Sequence, residues 1–297
     1  MATHSDTETP AIIAVMGSTG VGKSTFINTV TRNHTLPVSR ALNSCTKEVQ
    51  EVRLKWGDEQ RPLLLVDTPG FGDSSMSDTD VLRIIAKYLV KSHMAGTKLT
   101  GVIYMHSIID RKVEGSTRRI FRMFQELCGS RNLNQVVIAT TWWDKVDAPL
   151  AVEREGQLCS DKTLFKPMLD LGATMVRHEM RHDHGFSSAQ NILHYLLQYK
   201  TMDLKIQKQL VNEKRSLPVT NAGEVINHDL MQNARQCIDR LEAVQEELNS
   251  TKDGAMRRFL LEERKELQAE KKVIGKQIKN LSKSLNERSF FSRLLGL

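Results

Sequence analysis

Apolar runs alternate with amphipathic stretches over roughly the first two thirds of the chain. Ile12, Ile13 and Val15 lie in a continuous apolar run, as expected of a buried strand. Thr25-Phe26-Ile27-Asn28-Thr29-Val30 has a helical pattern. Val49, Val52 and Leu54 predict a second strand ending near Trp56, and Gly57-Asp58-Glu59 marks a hairpin turn. Leu63-Leu64-Leu65-Val66-Asp67 predicts another buried strand. Val81, Leu82, Ile84, Ile85, Tyr88 and Leu89 recur at helical spacing, and Gly101–Met105 reads as a strand. Ile120, Phe121, Phe124 and Leu127 mark a helix ended by Gly129. Strands over Gln135–Thr140 and Ala173–Val176 follow, then a helix through Ile192, Leu193, Leu196 and Leu197 capped by Ser187 or Ser188. Such alternation predicts an α/β fold.

Past Tyr199 the pattern changes. Aromatic residues thin out, Ser216-Leu217-Pro218 and Asn221-Ala222-Gly223 interrupt, and two near-heptad series follow. The first is Ile226, Leu230, Ala234, Cys237, Leu241, Val244 and Leu248; the second is Leu267, Ile274, Ile278, Leu281 and Leu285. Each run is short for a free coiled coil. A helical hairpin or packing on the preceding domain is the expectation, with a coiled coil as the alternative. The chain divides into a disordered tail (1–10), an α/β domain (11–200) and a helical extension (201–297).

Composition narrows this little. Of 297 residues, 40% are hydrophobic and 26% charged, as in soluble globular proteins. Cys45, Cys128, Cys159 and Cys237 are scattered, which favours a reducing, cytoplasmic setting over a disulfide framework. The polar N-terminus lacks the apolar core of a secretory signal. No apolar stretch is long enough to span a bilayer. A net charge of +7 is accounted for by a generally basic surface, and no nucleic-acid partner is expected.

Candidate chemistry begins where the first strand ends. Gly17-Ser18-Thr19-Gly20-Val21-Gly22-Lys23-Ser24 fits G-x-x-x-x-G-K-[ST], and Thr25 continues into the helix. Glycines let successive N–H groups turn inward around a phosphate chain, and the helix adds its positive end. Lys23 would reach the β- and γ-phosphates, and the Ser24 hydroxyl would ligate Mg2+. Asp67 ends a buried strand beside this loop, where a carboxylate holds Mg2+, and the Gly70 N–H would sense the γ-phosphate. Thr46, in the polar loop before the second strand, is the candidate for a second hydroxyl on Mg2+. Phe71 stands where small GTPases place a water-orienting glutamine, a task no phenyl ring performs. Thr141-Trp142-Trp143-Asp144 corresponds to [NT]-K-x-D with Trp142 replacing lysine. The Asp144 carboxylate accepts from the N1–H and amino group of guanine, and Trp142 can stack on the base.

Together, Gly17–Thr25, the Asp67-Thr68-Pro69-Gly70-Phe71-Gly72-Asp73 segment and Thr141–Asp144 resemble a GTPase of the septin, chloroplast-import (Toc) and immunity-associated (GIMAP-like) group. The Thr-Thr-Trp-Trp-Asp box and the Leu-Cys-Gly around Cys128 look most like fungal immunity-associated members. The resemblance covers roughly residues 11–200. It implies a Ras-like, mostly parallel sheet flanked by helices, GTP/GDP and Mg2+ as cofactors, and a homodimer across the nucleotide face. The loop after the last strand, with Arg177 and His178, would close over the base. In some members an arginine after the fourth strand acts in trans, and Arg111 is its counterpart, with a surface ion pair to Glu114 as the alternative. His178-Glu179-Met180-Arg181-His182 also fits the zinc-protease H-E-x-x-H, but it follows a strand and runs into Asp183-His184-Gly185, which favours a loop. The tail from Lys271 through Lys283, Arg288 and Phe290-Phe291 to Leu294-Leu295 is basic and ends apolar. It is suited either to weak anionic-membrane binding or to docking on the protein. The expected function is GTP hydrolysis, slow in a monomer and stimulated by dimerisation. The alternative is a GTP-dependent oligomerising scaffold with little turnover.

Overall fold

In a computed structural model, residues 10–32, 36–38, 46–73, 75–110, 115–181 and 183–285 are described. The N-terminal tail up to residue 9, Arg111, His182 and the tail beyond residue 285 lie outside them. Six strands form one sheet in the order β2-β3-β1-β4-β5-β6. They are β1 (Ala11–Gly17), β2 (Gln50–Trp56), β3 (Arg61–Asp67), β4 (Gly101–Ser107), β5 (Val136–Thr141) and β6 (Thr174–Arg177). Only β2 is antiparallel, joined to β3 by the turn at Gly57. The rest are parallel, which requires helical crossovers and hence cover on both faces.

That cover accounts for the unbroken apolar runs. In β1, Ile12, Ala14 and Met16 face one core, while Ala11, Ile13 and Val15 face another. The first core is closed by α2 (Asp78–Met94), α3 (Gly115–Cys128) and α4 (Ala148–Ser160). The second is closed by α1 (Lys23–Thr31) and α6 (Phe186–Leu197). A short α5 (Lys166–Leu169) follows α4. Neither was legible in the sequence: α4 buries only Ala151 and Leu158, too few apolar positions to show a period. Helix α6 starts one residue after Gly185, in left-handed conformation (φ 82), rather than at a serine cap. Ser187 instead donates from its backbone to Asp183 Oδ2, at 2.7 Å.

Beyond β6 and α6, α7 (Lys205–Gln207) runs into a π-helical turn, Lys208–Asn212. Then come α8 (Asn221–Ser250) and α9 (Gly254–Ser282), linked by a three-residue turn and capped by Thr220 and Asp253. Arg240 reaches Glu263, and Cys237 Sγ reaches the Leu267 carbonyl, so the two helices run antiparallel as a hairpin. The base of the hairpin belongs to the first core: Ile226, Leu230, Cys237, Ile274 and Leu281 pack in the same cluster as α2 and α3. Its far end has a small core of its own, built from Val244, Leu248 and Leu260. The apolar series therefore serves the hairpin and its docking at once, and packing does not break at residue 200. Among the described residues, no helix is long and apolar enough to cross a membrane.

Candidate nucleotide-binding site

The loop after β1 is shaped by glycines at positions no other residue fills comfortably. At Gly17 (φ 142) a Cβ would sit 2.3 Å from the Met105 carbonyl oxygen, and Gly20 and Gly22 have φ of 80 and 97. Gly22 caps α1, so the loop leads directly into the N-terminal end of that helix, where backbone N–H groups lack intrahelical partners. Lys23 folds back over the loop and donates to the carbonyls of Ser18 (2.8 Å) and Gly17 (3.3 Å). Its burial lowers the ammonium pKa to about 8, a shift opposed by the charges of Asp67 and Asp73.

Three separate elements converge beside it. Ser24, in the first turn of α1, donates to Asp67 Oδ2 at 2.7 Å, and Thr46, ahead of β2, donates to the same oxygen at 3.1 Å. The two hydroxyl oxygens lie 3.4 Å apart. Asp67 is placed there because β3 pairs in parallel with β1, with Val15 and Asp67 in register. It is fully buried, which raises its pKa, and Oδ1 has no hydrogen-bond partner among the described residues. A buried carboxylate with an unused oxygen beside two hydroxyls is a donor set for a hard cation that keeps water or substrate oxygens in its other positions. Among the described residues, no group of three His, Cys, Asp or Glu side chains forms a metal cage.

The segment after β3 is stitched to the loop. Phe71 N–H donates to the Gly17 carbonyl (3.2 Å), and Thr19 N–H donates to the Phe71 carbonyl (2.9 Å). Gly70 lies so close to Thr19 that a Cβ would fall 2.4 Å from its Oγ1 and 2.6 Å from its Cα. Backbone, not side chain, faces the phosphate loop here. The Phe71 ring turns the other way and is fully buried in the first core.

At the far end, Thr141 Oγ1 donates to the Val21 carbonyl (3.0 Å), and Trp142 Nε1 donates to the Gly20 carbonyl (3.1 Å). Trp142 has φ 64, a strained backbone for a bulky residue, and the residue is 37% exposed. Asp144 pairs with Lys145 at 3.0 Å. Trp143 is buried and donates to Thr140. Thr25 lines a cavity of about 570 Å3 with Asn28, Arg32 and Phe186.

Arg177 and His178 are both engaged within the protein. The Arg177 guanidinium lies 4.3 Å above the Trp143 ring and pairs with Glu155. His178 is 3% exposed, with Nδ1 2.8 Å from Ser188 Oγ, and burial lowers its pKa to about 4. They buttress the loop against α4 and α6. The described part of the H-E-x-x-H stretch is not helical, so its residues do not present one ligand face. Sequence reading missed Asp78, Arg119 and Asp229, which have no motif and meet only in the fold.

Residues 12–139 match the family model described as "50S ribosome-binding GTPase". Two curated relatives from Escherichia coli (strain K12) are both described as uncharacterized. YfjP is 25% identical over 175 residues, 56% of this chain and 56% of that protein. YkfA is 38% identical over 78 residues, 26% of each. The matches thus span between a quarter and just over half of those relatives. Toc33 from Arabidopsis thaliana in complex with GDP and Mg2+ is 16% identical, with a TM-score of 0.52 over 66% of this chain and 88% of that one. A further structure is 15% identical, with a TM-score of 0.51 over 64% of this chain and 84% of that one. It is described by the statement that dimerization is important for the GTPase activity of the chloroplast translocon components atToc33 and psToc159. The fold of this chain is that of a P-loop GTPase domain followed by a helical C-terminal region.

Proposed function

We propose that the protein binds a guanine nucleotide with Mg2+ and hydrolyses GTP to GDP and phosphate. The observation that carries this reading is the convergence of Ser24, Thr46 and the half-satisfied Asp67 beside Lys23. The loop amides from Ser18 to Thr25 cradle the phosphate chain. Lys23 exchanges the Gly17 and Ser18 carbonyls for phosphate oxygens. Ser24, Thr46 and Asp67 are the residues that would hold Mg2+, and the ion when bound neutralises charge on the phosphoryl oxygens. Gly70 presents its N–H toward the γ-phosphate position. Thr141 and Trp142 hold the base-reading turn against the loop, so that Asp144 accepts from guanine and the Trp142 indole meets the base face. Arg177 and His178 act by supporting that turn.

Phe71 contributes no group that orients water, so turnover calls for help of another kind. In this proposal a second copy across the nucleotide face supplies an arginine that stabilises the charge of phosphoryl transfer, with Arg111 as the candidate. The dimerization described for atToc33 and psToc159 supports the idea by likeness of fold. Burial of Phe71 also favours a second reading, a GTP-dependent scaffold with little turnover. The proposal places the protein in the cytoplasm, with the basic, apolar-ended tail as a weak contact for an anionic membrane and no nucleic-acid partner. Phosphate release from GTP at multiple turnover, measured per molecule across a range of protein concentration, separates the readings. A rate that climbs with concentration is expected. A rate flat and near zero from monomer to dimer contradicts hydrolysis by this route and favours the scaffold.

A further inference from the structure

In the hydrolase reading above the segment from Gly70 to Asp73 faces the γ-phosphate position, and a run of charged groups ties it to the C-terminal hairpin. Gly72, in left-handed conformation (φ 70), donates its N–H to Asp78 Oδ1 at 2.8 Å. Asp78 opens α2, and its other oxygen accepts from an Arg119 terminal nitrogen on α3, at 2.7 Å. The other terminal nitrogen of that guanidinium lies 3.3 Å from Asp229 Oδ2 on α8. Among the described residues Arg119 Nε is buried without a hydrogen-bond partner, and the two carboxylates orient the planar fork. The middle of this chain of contacts is sheltered: the Asp78 and Arg119 side chains are 13% and 23% exposed, while Asp229 is 35% exposed. Solvent screens such a pair less than a surface one.

The second arm of the hairpin ends on the same turn. Asn280, at the end of α9, donates from Nδ2 to Asp80 Oδ1 at 3.1 Å. Arg83 donates to the carbonyls of Asn280 (2.9 Å) and Lys283 (2.6 Å). The hairpin thus holds the N-terminal end of α2, the turn that follows the phosphate-sensing segment, with α9 bonding it directly and α8 reaching it through Arg119 of α3.

We infer that the docked C-terminal hairpin positions the Gly70–Asp73 segment for phosphoryl transfer through Asp78, Arg119 and Asp229, with Arg119 as the positioning residue; this rests on the hydrolase reading above. A shift of α8 turns the Arg119 fork, the fork turns the Asp78 carboxylate, and that carboxylate carries the Gly72 N–H. The coupling is reciprocal, so a phosphate that reorders the segment alters the seating of α8.

Asp229→Asn removes only the far charge, while Ile226 and Leu230 keep α8 packed in the core. Its affinity for GMPPNP relative to GDP should fall by roughly fivefold or more, the lower end of ordinary coupling between sites, and its kcat for GTP should fall with it. Arg119→Lys, which keeps the charge and loses the fork, should show the same losses, and Asp229→Glu should restore part of the rate. Hydrogen exchange over the first turns of α8 should differ between the GDP-bound and GMPPNP-bound wild type, and not in Asp229→Asn. Unchanged kcat in both Asp229→Asn and Arg119→Lys overturns the inference. So does identical α8 protection in the two nucleotide forms of the wild type. A wild type that binds no guanine nucleotide overturns the hydrolase reading itself, which separates the two failures.

Discussion

Two buried residues set what the phosphate site does before any ligand arrives. Lys23 is an ammonium held by two carbonyls in a place with little water, and burial brings its pKa from an ordinary 10.5 to about 8. Between those values the ligand-free fold binds fewer protons than the unfolded chain, so the stability that Lys23 contributes grows as pH rises through that window. A triphosphate supplies the negative charge that restores the ammonium. At about pH 9, GTP binding should therefore take up a proton, read by calorimetry in buffers of different ionisation heat. Lys23→Met should lose that uptake; equal uptake in the variant would place the proton elsewhere. Phe71 makes the opposite point. Its position in the motif invites Phe71→Gln as a repair, yet the ring is fully buried in the core. Losing it costs about 3–5 kcal/mol, by analogy with large-to-small aromatic replacements, and an amide placed there adds desolvation. Thermal unfolding should show a large loss of stability without a gain in hydrolysis; a more active variant of normal stability would refute that placement.

Elements with strong periodicity were legible in the sequence, and those held by sparse contacts were not. Strands β1, β3, β4 and β5 announce themselves because both faces are covered, so each has an unbroken apolar run at its centre. Helix α4 escaped notice because it rides on two buried side chains. The hairpin was visible as heptads, but its docking on α2 and α3 was not, since one apolar stripe serves both its partner helix and the core. The phosphate and base motifs could be located because spacing in sequence defines them; the ion pair of Arg177 could not, because its partner Glu155 lies on the unforeseen α4. Two glycines in the hairpin separate close packing from helix propensity. At Gly223 a Cβ would meet the Leu217 carbonyl oxygen at 1.8 Å, whereas at Gly275 nothing lies within 4 Å. Gly275→Ala should gain up to about 1 kcal/mol from helix propensity. Gly223→Ala should lower the denaturation midpoint despite the same propensity gain. Equal effects at both positions would mean that the turn before α8 does not pack as described.

On the scale of the whole molecule, one sheet edge gathers the phosphate loop, the Ser24–Thr46–Asp67 cluster and the base-reading turn, while the hairpin grips the opposite end of the phosphate-sensing segment through α2. Ligands of open α/β sheets bind at this carboxyl edge. The central claim is that this edge is a Mg2+-dependent guanine-nucleotide site, and equilibrium dissociation constants for GTP, GDP, ATP and xanthosine triphosphate test it most directly. They are to be measured with and without Mg2+ on the wild type, Lys23→Ala, Asp67→Ala and Asp144→Asn. The account predicts tight GTP binding that weakens without Mg2+, weak ATP binding, and a large loss of GTP affinity in Lys23→Ala. It also predicts loss of the Mg2+ effect in Asp67→Ala and a shift toward xanthosine triphosphate in Asp144→Asn. Wild-type protein that binds GTP and ATP alike, or a Lys23→Ala variant that holds GTP as tightly as the wild type, would contradict it.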